Sequence, residues 1–225
     1  MPQKAEWERL VQNLISEGIL HSPPVIRAMR QVNRARFLPE NMQSYCAVDS
    51  PLPIGLGQTV SAPHMVAIMN EALELEVGHK VLEVGAGSGW HAATIAETIA
   101  PSDMPKEKWG HVYTTEIVPE LAGSAKAILE KAGYGDRVTV VATDGSEGYD
   151  KEAPYDRIFV TAAAPSIPKP LTEQLKINGI LVIPVGSTYF YQTLLRIRKT
   201  DSKLAEENLG GVAFVPLTGK YGQRM

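Results

Sequence analysis

The chain has 225 residues, 44% of them hydrophobic, enough to bury one substantial core with a small appendage. A net charge of −3 at pH 7 leaves no basic footprint of the kind that nucleic-acid binding requires, so a protein or small-molecule partner is expected. A single cysteine, Cys46, excludes an internal disulfide framework, and with no Cys/His ligand cluster no metal site is expected.

Residues 1–10 lack the uninterrupted apolar stretch of a signal peptide, and no run approaches 18 apolar residues. A cytoplasmic protein without a membrane span is expected. Residues 4–17 and 23–32 carry the periodicity of amphipathic helices, parted by Gly18 and the Pro23-Pro24 pair. The connector at 49–58, rich in proline and glycine, reads as too irregular for a core element and leads into a helix at 62–75. From Val77 onward strands and helices alternate. Strands are expected near 79–84, 111–115, 137–142, 156–161, 179–185, 190–198 and 211–217, and helices near 90–100, 119–132 and 169–177. Such alternation predicts a doubly wound, mostly parallel sheet. Two strands joined by Gly186-Ser187-Thr188 read as a hairpin, which makes one edge antiparallel. Residues 101–108 form a polar, solvated loop.

Val81-Leu82-Glu83-Val84-Gly85-Ala86-Gly87-Ser88-Gly89 is the most informative stretch. An apolar strand runs into glycines at alternate positions, where a backbone can approach a ligand that a Cβ would block. A dinucleotide fingerprint reads G-x-G-x-x-G; this one reads G-x-G-x-G, with Glu83 inside the strand and Glu116 ending the next apolar run. The pattern resembles the S-adenosylmethionine (AdoMet) loop of Rossmann-like methyltransferases, against the plainer reading of a turn that merely needs glycine. Asp144-Gly145 follows the third strand. Each carboxylate alone reads as a helix cap or a solvated loop residue. Three of them at strand ends, in register with the glycine loop, make AdoMet the leading ligand: Glu116 suits ribose hydroxyls, and Asp144 an adenine amine.

Amine-directed nucleic-acid methyltransferases carry a D/N-P-P-Y/F signature after the fourth strand. Here Thr161-Ala162-Ala163-Ala164-Pro165 stands there, which counts against methylation of a base. The polar cluster lies upstream, in Gln58-Thr59-Val60-Ser61-Ala62-Pro63-His64-Met65. Ser61 can be read as the N-cap of a helix with proline in its first turn, or as a hydroxyl that, with Thr59, donates to a carboxylate. His64 can be a partner in that site or a histidine on the helix surface.

Gly55-Leu56-Gly57-Gln58-Thr59-Val60-Ser61-Ala62-Pro63-His64-Met65 closely resembles the signature of the protein-L-isoaspartate (D-aspartate) O-methyltransferases. Residues 29–40, 81–90, 144–148, 155–164, 179–186 and 214–218 resemble further segments of that family in order, so the likeness runs from about residue 4 to 220. It implies a class I AdoMet-dependent methyltransferase: a doubly wound seven-stranded sheet with an antiparallel edge and extra N-terminal helices. It further implies one domain over 1–225, with N-terminal helices and a substrate-site segment at 1–76 and an AdoMet-binding α/β core at 77–225. The implied reaction is methylation of the free α-carboxylate of L-isoaspartyl, and of D-aspartyl, residues in damaged proteins and peptides, with S-adenosyl-L-homocysteine as product. By that likeness Ser61 is the active-site hydroxyl. Thr59, Val60, His64, Val215 and Thr218 hold the substrate, and Glu83, Gly85, Gly87, Gly89, Glu116, Asp144 and Gly145 the cofactor. A monomer is expected. Val66 stands where some relatives carry a second histidine. An AdoMet-dependent O-methyltransferase of a small carboxylic acid or alcohol shares the cofactor half of this reading. A non-catalytic AdoMet-binding module would more readily have lost Ser61, Glu116 or Asp144, and the glycine spacing disfavours a nicotinamide dehydrogenase.

Overall fold

The computed structural model describes residues 2–187 and 191–223. Helices α1 (Pro2–Ser16), α2 (Pro23–Gln31) and α3 (Pro63–Ala72) come first, with a hairpin of β1 (Leu52–Gly55) and β2 (Gln58–Val60) ahead of α3. Then follow β3 (Lys80–Val84), α4 (Trp90–Ile99), β4 (His111–Glu116), α5 (Pro119–Ala132) and β5 (Val138–Ala142). The chain continues through β6 (Tyr155–Val160), α6 (Lys169–Glu173), β7 (Leu175–Gly186), β8 (Gln192–Lys199) and β9 (Leu204–Val212). The main sheet has seven strands in the order β5-β4-β3-β6-β7-β8-β9. The first five are mutually parallel, and β8 and β9 run antiparallel at one edge. From β3 the chain builds outward to β5, then returns to β6 on the other side of β3. Ligands of open α/β sheets bind at such a switch, beyond the carboxyl ends of the strands.

Residue chemistry accounts for the layering. In β3, Val81, Leu82, Glu83 and Val84 are all buried, as a central parallel strand covered on both faces requires. Val81 joins one apolar cluster with Phe159, Val66 and Ile95, while Leu82 and Val84 join another with Ile158, Val160 and Leu181. Helix α4 is buried over its whole length, and its alanines let α2 pack closely. The N-terminal helices are anchored there by an edge-on Trp7–Trp90 pair at 5.9 Å, with each indole N–H donating to a backbone carbonyl, of Met29 and Val32 respectively. Behind α4, the buried Glu97 carboxylate meets Arg137 at 2.9 Å.

Several expected boundaries move. The strand expected at 211–217 falls instead at 204–212, because Thr200 and Lys203 close a tight turn directly after β8. β9 is a mostly exposed edge strand with Glu206, Glu207 and Asn208 at its centre and Gly210-Gly211 near its end, so its sequence lacks a continuous apolar signature. The apolar residues at 213–217 make only an isolated bridge, Ala163 to Pro216. The helix expected at 169–177 stops at Glu173, since Leu175 already pairs with Tyr155 as the start of β7. The helix expected at 62–75 ends at Ala72, where Glu74 turns to φ 48°. The connector at 49–58 is ordered: β1 and β2 lie within and beside it, joined through Gly55, Leu56 and Gly57, all at positive φ. The β7–β8 hairpin forms as expected and pairs Gly186 with Gln192; its expected turn residue Thr188 lies outside the described residues.

Candidate active site

A cleft of about 180 Å³ opens at the carboxyl ends of β3, β4 and β6. Its floor is the glycine loop. Gly85 has φ 98°, and a Cβ there would overlap Thr161 Oγ1, which donates to the Gly85 carbonyl at 2.8 Å. The loop is thus fastened to the end of β6 by a hydroxyl that occupies the space a side chain would need. At Gly145 a Cβ would likewise overlap a threonine hydroxyl, Thr115 Oγ1, which donates to the Glu83 carbonyl at 3.1 Å. Gly87 donates its N–H to Glu116 Oε2 at 3.0 Å, while Glu116 Oε1 accepts from the Val118 amide at 3.1 Å. Both oxygens of Glu116 are thereby aimed, and each keeps a free lone pair for a further donor.

Glu83 is fully buried in the cleft wall, and neither of its oxygens has a hydrogen-bond partner. Burial, with the Glu116 charge adding to it, raises its pKa well above the ordinary 4.5. The Thr114 hydroxyl lies near enough to ease this shift but makes no hydrogen bond by geometry. Ser88 Oγ and His91 Nδ1 are likewise buried and unpartnered. Buried polar atoms are normally satisfied, so their concentration at one cleft marks a place built for a polar ligand.

The opposite wall comes from distant parts of the chain. Thr59, Val60 and Ser61 line it from the end of β2; Val215, Pro216, Leu217 and Thr218 line it from the end of the chain. The latter segment is tied to the sheet by Ala163, whose amide donates to the Val215 carbonyl and whose carbonyl accepts from Leu217, both at 2.8 Å. Behind Ser61, the buried Arg34 guanidinium donates to the carbonyls of Val48 (3.1 Å), Ser50 (2.9 Å) and Ser61 (2.9 Å) and stacks over Trp90. Burial lowers its pKa to about 10, leaving it charged.

Of the residues singled out from sequence, the cleft gathers Thr59, Val60, Ser61, Glu83, Gly85, Gly87, Glu116, Gly145, Val215 and Thr218. Three sit elsewhere. Gly89 caps α4 at φ 83°, with a Cβ position only 2.9 Å from Leu129 of α5, so glycine there serves the turn and the packing. Asp144 accepts the Ser146 amide with Oδ1 (2.9 Å) and the Lys220 amide with Oδ2 (2.8 Å), tying the loop after β5 to the end of the chain. His64 presents its backbone N–H and its Nδ1 to Asp49 Oδ1, each at 2.9 Å, away from the cleft lining. The N-cap of α3 is Ala62, not Ser61, so capping does not fall to the serine. Sequence reading missed Ser88, His91 and Thr161 as cleft residues; the first two lie in or just after the glycine loop, where they read as filler.

The glycine loop after β3, the aimed carboxylate after β4 and the unpartnered polar atoms between them fit AdoMet, whose tail, ribose and base all need such partners. Fold and site define a Rossmann-like, AdoMet-dependent methyltransferase. A family model, protein-L-isoaspartate(D-aspartate) O-methyltransferase, matches residues 5–222. The chain belongs to that family. It is 55% identical to the protein-L-isoaspartate O-methyltransferase of Hyperthermus butylicus, covering 97% of this chain and 93% of that one. With the Korarchaeum cryptofilum enzyme of the same name it shares 54% identity, over 95% and 97% of the two chains. Among solved structures, a Plasmodium falciparum chain described under the family's name, in complex with S-adenosyl-L-homocysteine, superposes with a TM-score of 0.81 at 26% identity. That match covers 94% of this chain and 98% of the other.

Proposed function

We propose that this protein is a repair methyltransferase that transfers a methyl group from AdoMet to the free α-carboxylate of L-isoaspartyl residues, and of D-aspartyl residues, in damaged proteins and peptides. Family membership, joined to a cleft with a complete cofactor half and a separate polypeptide-facing wall, carries the reading. AdoMet, when bound, supplies an electrophilic methyl on a sulfonium. The remaining work falls to the chain. Glu116 accepts from the ribose hydroxyls, and the backbone at Gly85, Gly87 and Gly145 lets the nucleoside lie against the strand ends. Asp144 holds the loop beside the base and has lone pairs left for an exocyclic amine.

On the acceptor side, a carboxylate with an ordinary pKa near 4 is already ionised at neutral pH, so no general base is needed. Ser61 therefore orients the nucleophile. Its hydroxyl, with Thr59 beside it, donates to the acceptor carboxylate and aligns one oxygen with the methyl to be displaced. Arg34, fixed to the Ser61 carbonyl, sets that loop in place. Val60 and Val215 contact the substrate backbone and Thr218 donates to it. His64 acts at one remove, by pinning Asp49. Transfer forms an O–CH₃ bond, breaks the S–CH₃ bond, and leaves a methyl ester and S-adenosyl-L-homocysteine.

Residues 1–225 form one domain in this reading, a division supported by the apolar cluster that runs without a break from Trp7 on α1 to Leu194 on β8. The enzyme acts as a cytoplasmic monomer on isoaspartyl-containing proteins, with no nucleic-acid or membrane partner. Two hexapeptides that differ only in an isoaspartyl or a normal aspartyl residue, offered with radiolabelled AdoMet, test the assignment. Base-labile label on the isoaspartyl peptide alone is expected. Equal labelling of both, or of neither while AdoMet still binds, would move the acceptor to another carboxylate or hydroxyl.

A further inference from the structure

Among the described residues, seven buried side-chain polar atoms lack a hydrogen-bond partner, and four of them, on Glu83, Ser88 and His91, belong to residues that line the cleft. His91 is 5% exposed on the first turn of α4, its ring 4.4 Å from that of Phe159, whose register partner on β3 is Glu83. Its protonation follows from its neighbours. Thr94 Oγ1 donates its only hydrogen to the His91 carbonyl at 2.7 Å. The same oxygen can therefore only accept from Asn70, at 3.1 Å, which makes the Asn70 group facing it the NH₂. Asn70 Oδ1 is then the atom 2.9 Å from His91 Nε2, and Nε2 must carry a hydrogen. Burial lowers the ring's pKa to about 3, so it is neutral. Nδ1 is left as a bare, buried acceptor on a side chain that lines the cleft.

We propose that His91 Nδ1 is a cofactor contact that accepts a hydrogen bond from the ammonium of the amino-acid tail of AdoMet. This rests on the reading of the cleft as an AdoMet site and names what holds the tail. An α-amino acid carries a donor and an acceptor on one carbon, and the wall is built to match. Glu83 and His91 offer acceptors. Ser88, one residue before the α4 N-cap, offers a hydroxyl donor, beside first-turn amides that have no acceptor within the helix. Ser61 and the 215–218 segment stand on the other wall, so the substrate backbone is the poorer match for Nδ1. Asn70 is a positioning residue: from α3, the helix that follows Ser61, it sets the tautomer of a side chain on α4.

The test compares binding of S-adenosyl-L-homocysteine with that of its analogue lacking the amino group, by calorimetry on the full chain. His91→Gln keeps a donor toward Asn70 and removes the acceptor at Nδ1; His91→Asn keeps an acceptor near Nδ1. The expected result is a loss of about tenfold in affinity for S-adenosyl-L-homocysteine in His91→Gln, the worth of one hydrogen bond to a charged group. The analogue's affinity should be unmoved, and His91→Asn should recover part of the loss. In wild-type protein, the ¹⁵N resonance of His91 Nδ1 should shift with S-adenosyl-L-homocysteine and not with the analogue. Equal weakening of both ligands in both variants, or no weakening, would overturn the assignment. Failure of the wild type to bind S-adenosyl-L-homocysteine at all would overturn the cofactor reading beneath it.

Discussion

Glu83 ought to make cofactor binding depend on pH, and Glu83→Gln ought to abolish that dependence. In the free protein the carboxyl is fully buried, without a hydrogen-bond partner, and its pKa is raised well above 4.5, chiefly by burial. With the cofactor's ammonium against it, as in the proposed site, it must ionise, so the complex would hold one proton fewer than the free protein. Binding therefore strengthens as pH rises, by up to tenfold per pH unit for one proton released, between the ordinary glutamate pKa and the raised one. Folding responds with the opposite sign. A raised carboxyl pKa contributes stability that is fully present below the unfolded value and is lost as pH climbs through the folded one. In that window the ligand-free wild type loses about 1.4 kcal/mol per pH unit, or about 3–5 °C in Tm for a chain of this size. Glu83→Gln should lose neither, and should bind S-adenosyl-L-homocysteine about 10- to 100-fold more weakly for want of the charge. Titration calorimetry in two buffers of different ionisation enthalpy counts the proton. A wild type that releases none, or a Glu83→Gln variant that still releases one, would refute the reasoning.

Three further substitutions probe the acceptor side, the loop after β5 and the buried ion pair behind α4. Ser61→Ala should lower kcat/KM for an isoaspartyl peptide about 100-fold, as loss of an aligned donor does, with affinity for S-adenosyl-L-homocysteine unchanged; an unchanged kcat/KM would remove Ser61 from the acceptor site. Asp144→Ala releases the Ser146 and Lys220 amides together, so binding of S-adenosyl-L-homocysteine should weaken about tenfold and amide exchange should quicken at 217–223. Protection unchanged at 220 would show that the tie carries no weight. Glu97→Gln leaves the buried Arg137 charge without its carboxylate and should cost about 3 kcal/mol, or about 6–12 °C in Tm by calorimetry; a loss below about 1 kcal/mol would mean the Ala100 and Gly133 carbonyls suffice for Arg137.

Short-range chemistry was readable from the amino-acid order. Runs such as Val81-Leu82-Glu83-Val84 announce a buried strand, and glycines at alternate positions announce a backbone that must come close to something. Contacts set by the tertiary arrangement were not. Ser61 sits beside a proline and so imitates an N-cap, yet Ala62 takes that place. His91 reads as one residue of a helix start; only the approach of Asn70 from another helix gives it a fixed tautomer and a purpose. Asp144 was legible as a carboxylate after a strand, but its second partner, the Lys220 amide, lies 76 residues away. β9 escaped because an edge strand dressed in Glu and Asn carries none of the apolar rhythm by which strands are recognised.

The wall of the cleft that faces the glycine loop is built from residues near 60 and residues near 216, which stand at opposite ends of the chain segment that forms the sheet. In the proposed site no fragment that lacks either stretch would present an acceptor carboxylate to the cofactor, and a partly folded chain would not hold the two stretches in register. Catalysis is therefore a stringent reporter of complete folding. A protein whose substrates are the damaged members of a population loses its own activity as soon as its own fold slackens, so turnover of an isoaspartyl peptide doubles as an assay for the molecules in a sample that are still whole.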